Sequence, residues 1–197
     1  MRVSFVMAAL TLAACDQQRP AKSVALVQGD IMATAPAGYC IDPATSTPAN
    51  GFAVMAPCAT LGGRDPAPDV LGVATVQVGA AASGTVAGEE ETLRNLMQTA
   101  AGAQLLSNSG DANQIEVLDT KTDENTVTVH FRDDGTPPVD GMGNEEWRAF
   151  TDIGGRLVTV AVRGLAAAPM DGDTGTWLLG RVVNGLVPTR PGESPET

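Results

Sequence analysis

Alternating apolar and polar positions mark the strands of this chain. In Thr126-Val127-Thr128-Val129-His130-Phe131-Arg132, the residues Val127, Val129 and Phe131 share one face. Thr128, His130 and Arg132 share the other, which predicts a strand with one core face and one solvent-facing or helix-covered face. Ile115–Lys121 pairs with Thr126–Arg132 as a hairpin across Asp123-Glu124-Asn125. Glu146–Asp152 and Arg156–Arg163 form a second hairpin across Gly154-Gly155, a strong turn signal. Shorter strand pieces precede them: Val24–Val27, Ile31–Ala35, Gly38–Asp42, Phe52–Cys58 and Val70–Val78, the last rich in β-branched residues. Pro43–Gly51 and Leu61–Asp69 read as loops.

Two segments have helical spacing. Glu89–Ser107 has Leu93, Leu96, Met97 and Ala100 near one face, completed by Leu105 and Leu106. Glu89, Glu90 and Glu91 sit in its first turn, where negative charge suits the helix dipole, and Asn108-Ser109-Gly110 ends it. Thr174–Leu186 is the second, with Leu178, Leu179, Val182, Val183 and Leu186 towards the core. The expected fold is therefore α+β: an antiparallel sheet with two helices packed on it, in a single domain over residues 24–187. Pro188–Thr197, with three prolines and two glutamates, is expected to be a disordered tail. The element order loosely resembles that of PsbP-type domains. The likeness is architectural, and no functional residue carries over with it.

The first fifteen residues have a different pattern. A short basic start at Arg2 leads into an apolar run and a small-residue site ending at Cys15. That is the form of a secretory signal segment, and Val3–Ala14 is too short to cross hydrocarbon. Leu12-Ala13-Ala14-Cys15 resembles the lipobox of bacterial lipoproteins. The resemblance implies cleavage after Ala14, acylation of Cys15, and a polar tether over residues 15–23. Two or more acyl chains hold firmly to a membrane where one is marginal. The expected location is thus the cell envelope, facing the periplasm. Asp16 resembles the inner-membrane retention signal of enteric lipoproteins, a rule that varies between bacterial groups, so either membrane stays open.

Composition narrows the partners. The 197 residues carry 12 Lys plus Arg against 23 Asp plus Glu, a net charge of −11, and removal of Arg2 makes the mature chain more acidic. Such a surface repels nucleic acid and anionic headgroups, so membrane contact falls to the acyl chains. With Cys15 assigned to the anchor, Cys40 and Cys58 remain, and an even remainder in an oxidising compartment predicts a disulfide. There is no Cys-x-x-Cys, and a lone histidine cannot complete a usual zinc site.

Candidate chemistry is sparse. His130 is the single histidine, and no Gly-x-Ser-x-Gly or Ser-x-x-Lys accompanies it to nominate a nucleophile. Asp171-Gly172-Asp173-Thr174-Gly175-Thr176 looks like a calcium loop for two positions and then departs from it. It also superficially resembles the phosphorylation loop of cation-pumping ATPases but lacks the lysine. Asp173 or Thr174 as a helix cap accounts for the same residues. Asp133–Asn144 gathers Asp133, Asp134 and Asp140 before Glu145-Glu146, either a solvated connection or an oxygen-rich cation loop. Gly62-Gly63-Arg64 lacks the frame of a phosphate cradle. Trp147 and Trp177 are read as core anchors or the floor of a pocket.

No cofactor, metal or catalytic residue is assigned. The leading expectation is a non-enzymatic envelope lipoprotein that binds another envelope protein or supports envelope assembly. A small-ligand-binding module, with its pocket between sheet and helices near Trp147 or Trp177, is the alternative. A hydrolase is the third reading.

Overall fold

The two long hairpins form where alternation placed them and make up most of a seven-stranded antiparallel sheet. The computed structural model describes residues 20–189. The leader expected over 1–14, the acylation expected at Cys15 and most of the expected tail lie outside the described residues. The large sheet contains β3 (Tyr39–Ile41), β4 (Phe52–Pro57), β5 (Gly72–Val78), β6 (Ile115–Asp123), β7 (Thr126–Asp133), β8 (Met142–Ile153) and β9 (Arg156–Leu165). Their order is β3-β4-β5-β9-β8-β7-β6. A second, three-stranded sheet joins β1 (Ser23–Leu26), β2 (Ile31–Thr34) and β10 (Leu186–Pro188) in the order β1-β2-β10. Helices α1 (Glu90–Met97), α2 (Ala100–Leu106) and α3 (Gly172–Val183) complete a single α+β domain.

The large sheet has two unequal faces. One carries Met55, Val76, Val160, Val162, Trp147 and Ala149 into the main core, under the small sheet and Leu178, Leu179 and Val182 of α3. On the other, α1 and α2 cover only the β6–β7 side, enclosing Val127, Val129, Phe131, Met97 and Leu106. Over β4, β5 and β9 that same face carries no helix among the described residues. The third layer is half complete, and this asymmetry positions the site described below.

The helix expected over 89–107 is two helices. Thr99 breaks it: its hydroxyl accepts from the Gly102 N–H at 3.2 Å, capping a new helix start. A Cβ on Gly102 would run into the Leu96 carbonyl, so glycine allows α2 to turn tightly against the end of α1. Leu105 is consequently 64% exposed instead of finishing the apolar stripe. The last helix ends at Val183, and Leu186, expected within it, is a buried residue of β10. Pro188, expected in the tail, closes that strand, and the Thr189 N–H donates to Asp30 O at 2.9 Å. Ser23, expected in the tether, begins β1.

Local turns follow residue chemistry. Gly154 and Gly155 have φ of 58° and 74°, the left-handed pair that a two-residue hairpin turn requires. A bulge in β6 between Val117 and Asp119 reverses the alternation. Before it, Ile115 and Val117 pack under the helices. After it, Thr120 and Thr122 face them and bond Gln98 and Glu91, while Asp119 and Lys121 turn towards His130.

Cys40 and Cys58 are disulfide-bonded, with Cα atoms 4.9 Å apart, fastening edge strand β3 to the end of β4. Beside them Tyr39 is buried and donates its hydroxyl proton to Val70 O at 2.8 Å. Loss of solvation raises its pKa from the ordinary 10.0 to about 12. The folded state therefore binds this proton more tightly than the unfolded chain. The resulting stability is complete below about pH 10 and is lost as pH climbs towards 12. Because the chain has one tyrosine, tyrosinate absorbance reads this group alone. We expect a midpoint near 12 in buffer and near 10 in denaturant. A native midpoint near 10 would contradict the packing of β3.

Candidate functional site

Residues on opposite faces of β8 lie in very different surroundings. Trp147 points under α3, whereas Glu146 and Arg148 point to the half-covered face. Register then pairs Glu146 with Arg163 of β9. Glu146 Oε2 accepts from Arg163 Nε at 3.2 Å and Nη2 at 2.5 Å. Its Oε1 accepts from Arg148 Nε at 2.7 Å and pairs with Nη2 at 2.5 Å. Glu146 is 4% exposed and Arg163 5% exposed, so this is a buried carboxylate between two guanidiniums. Arg163 also donates to Gly143 O at 3.0 Å, and Arg148 to Leu105 O at 3.4 Å. The Arg148 guanidinium lies 5.1 Å from the centroid of the Phe131 ring.

These groups floor one end of an open groove of about 530 Å³. Phe52, Val54, Val73, Thr75 and Ala161 form the rest of its floor, and Pro138 and Val139 of the β7–β8 connection, with Met142 at the start of β8, form a wall. Val139 is 59% exposed there. Asn108, just after α2, joins the wall because Asp133 holds it. The Asp133 carboxylate, 2% exposed, accepts from the Asn108 backbone and side-chain nitrogens and from Gly135 N. Asp133, expected in a solvated acidic loop, is thus the buried end of β7 and ties two connections together. Asp42 sits at the opposite end, its oxygens taken by Ala44 N at 2.9 Å and Thr45 Oγ1 at 2.7 Å.

The ligand-binding alternative set its pocket near Trp147 or Trp177. The groove is lined by neither. Trp147 is 2% exposed on the other side of the sheet, packed against Gly175. Trp177 is no core anchor: it is 54% exposed, with the Arg181 guanidinium 6.0 Å from its ring. The structure brings Glu146, Arg148 and Arg163 together, a combination that the sequence reading did not single out. The signal was available. Counting back along both strands from the Gly154-Gly155 turn pairs Ile153 with Arg156, and so Glu146 with Arg163.

His130 keeps its expected face, partly covered by α3. Its Nε2 is 2.9 Å from Glu145 Oε2, and its ring stacks on Trp147 with centroids 4.3 Å apart. Arg132 bridges Glu145 and Glu116. The crevice beside His130 measures about 10 Å³, room for about one water molecule and not for a substrate. A carboxylate is in reach, but Thr128 and Thr176 are the hydroxyl groups lining the crevice and neither bonds the ring. Trp147 Nε1 has no hydrogen-bond partner. A Cβ at Gly175 would strike the Trp147 indole, so Gly175→Ala should push α3 outward. The expected cost is about 1–3 kcal/mol in urea unfolding. An unchanged midpoint would contradict this packing.

The Asp171–Thr176 run opens a helix. Asp171, two residues before Asp173 and three before Thr174, caps α3 by accepting from Thr174 N at 2.7 Å. Hydrogen bonds from Thr174, side chain first and backbone second, hold its pKa below the usual carboxylate value. Glu90 is held low by bonds from its own N–H and from those of Gly88 and Asn125. The carboxylate of Asp65 approaches Cys40 and Cys58, but the sulfurs are joined to each other and Lys22 pairs with Asp65 at 3.0 Å.

No family model and no curated protein matches the chain. Solved structures do. The Ran-binding protein Mog1p of Saccharomyces cerevisiae is 13% identical, over 84% of this chain and 93% of that one, with a TM-score of 0.48. A mutant of Mog1 gives 13% identity, 84% and 94% coverage, and a TM-score of 0.49. The cyanobacterial PsbP of Synechocystis is 15% identical, over 91% of this chain and 99% of that one, with a TM-score of 0.44. A PsbP protein is thus among the structural neighbours of this chain, whose element order loosely resembles the PsbP type. These are likenesses of chain path, and no residue's role is carried across them.

Proposed function

We propose that the chain is a lipid-tethered protein of the bacterial envelope that binds a small apolar guest in the groove of its half-covered sheet. It holds the guest without performing chemistry on it. The observation that supports this reading is the groove: largely apolar walls with a few polar groups, three of them convergent at the β8 end, the usual composition of a binding site. It shifts weight from protein interaction, which the sequence favoured, to the ligand-binding alternative. Binding to another envelope protein is the second reading, supported by the exposed Trp177 and Leu105.

The anchor rests on the lipobox resemblance at Cys15. No helix among the described residues is long and apolar enough to cross a membrane. Cys15→Ser should abolish labelling by a fatty-acid precursor and release the protein from the membrane fraction; unchanged labelling and partitioning defeat the tether. The guest is tested in cells with a photoreactive residue in place of Val139 on the groove wall. Small-molecule adducts there, absent when the same group replaces Trp177, are expected. Adducts to protein at both positions would favour the second reading.

A further inference from the structure

The charges in the groove identify the class of guest. Two guanidiniums share one carboxylate, leaving one positive charge in excess at the β8 end. Each arginine makes three of the five N–H contacts open to it, so donors remain. Arg148 is the more accessible, its side chain 14% exposed against 6% for Arg163. In a chain of net charge −11 this is a local reversal of sign.

Away from these charges the floor is mostly apolar, with Thr75 in its middle and with Asp42, its oxygens taken by Ala44 and Thr45, at the far end. Register aligns Val54 with Thr75, Thr75 with Ala161, and Ala161 with Arg148, in one row across β4, β5, β9 and β8. Strand spacing makes that row ~14 Å long, from an apolar end to a cationic one. Small Ala161 at its middle keeps the trough open.

We infer that the guest is an amphiphilic monoanion: an unbranched apolar chain with one carboxylate head. Its head takes the free N–H groups of Arg148, and its body lies along Ala161, Thr75 and Val54 against the Val139 wall. One negative charge balances the one in excess. This inference rests on the groove being the binding site.

The test uses the full chain in nanodiscs of neutral phosphatidylcholine, with photoreactive dodecanoate and, in parallel, photoreactive dodecanol. Labelled peptides are mapped by mass spectrometry. The carboxylate probe should label β4, β5 and residues 134–142 about tenfold more than the alcohol, the size expected for a charged hydrogen bond. Arg148→Gln should erase that preference. Val139→Asp, on an exposed wall where folding is not at risk, should weaken the carboxylate probe more than the alcohol. Equal labelling by both probes, or a preference that survives Arg148→Gln and Val139→Asp, overturns the inference and leaves the groove reading standing. Absence of both probes from the groove peptides overturns both.

Discussion

Replacing Glu146 with alanine should cost the domain about 3–5 kcal/mol. The loss comes from what remains. Arg163, 5% exposed, and Arg148 would face each other across β8 and β9 with no counter-charge. A buried charge stripped of its partner is far costlier than the intact pair is stabilising. For a domain of this size the loss corresponds to a fall of about 10 °C in Tm. Glu146→Met with Arg163→Met, which removes the buried pair and keeps volume, should recover part of it, the remaining cost being the more accessible Arg148 left without its carboxylate. Urea unfolding of the single and paired variants measures both effects. A loss below ~1 kcal/mol for Glu146→Ala, within the range of an exposed pair, would contradict the burial of this network.

Loss of the disulfide should be the next largest effect. The bridge spans 18 positions and ties β3, at the edge of the sheet, to β4. Constraint of the unfolded chain contributes about 2–4 kcal/mol for such a loop. Cys40→Ala with Cys58→Ala should therefore lower Tm by about 10 °C. Among the described residues β3 is flanked by β4 and, on its outer side, by a single bridge from Ala21 to Ile41, so it should loosen first, and the Tyr39 titration should move down from about 12 towards 10. Thermal unfolding and tyrosinate absorbance report on the two consequences separately. An unchanged Tm would show that β3 holds without the bridge.

Strands were legible in the sequence wherever one face met the core and the other did not. The row Val127, Val129, Phe131 is the clearest case: all three are buried, and Thr128, His130 and Arg132 are not. The pairing of Cys40 with Cys58 was legible too, because removing Cys15 left one pair. The break at Thr99 was not. A threonine within an apolar stripe looks like a helical residue until the chain turns and its hydroxyl becomes a cap. Leu186 was misread for a related reason: an apolar residue three places beyond Val183 fits a helix period, and pairing with Ala33 of β2 decides otherwise. The groove was hidden more deeply. Nothing in local spacing says that α1 and α2 cover β6 and β7 but stop short of β4 and β5. Phe52, Val54 and Val73 look like ordinary strand residues, and their partial exposure follows from a layer that ends early.

Whether the groove is occupied in the cell is decided by what the isolated protein carries. Wild-type chain and Ala161→Phe, which fills the middle of the trough, are purified side by side. Both are checked for the native tyrosine titration and then extracted with organic solvent for mass spectrometry. We expect one small amphiphile in near-equal molar amount from the wild type and almost none from Ala161→Phe. Equal recovery from the two, or nothing from either, would mean that the half-covered face of the sheet holds no guest.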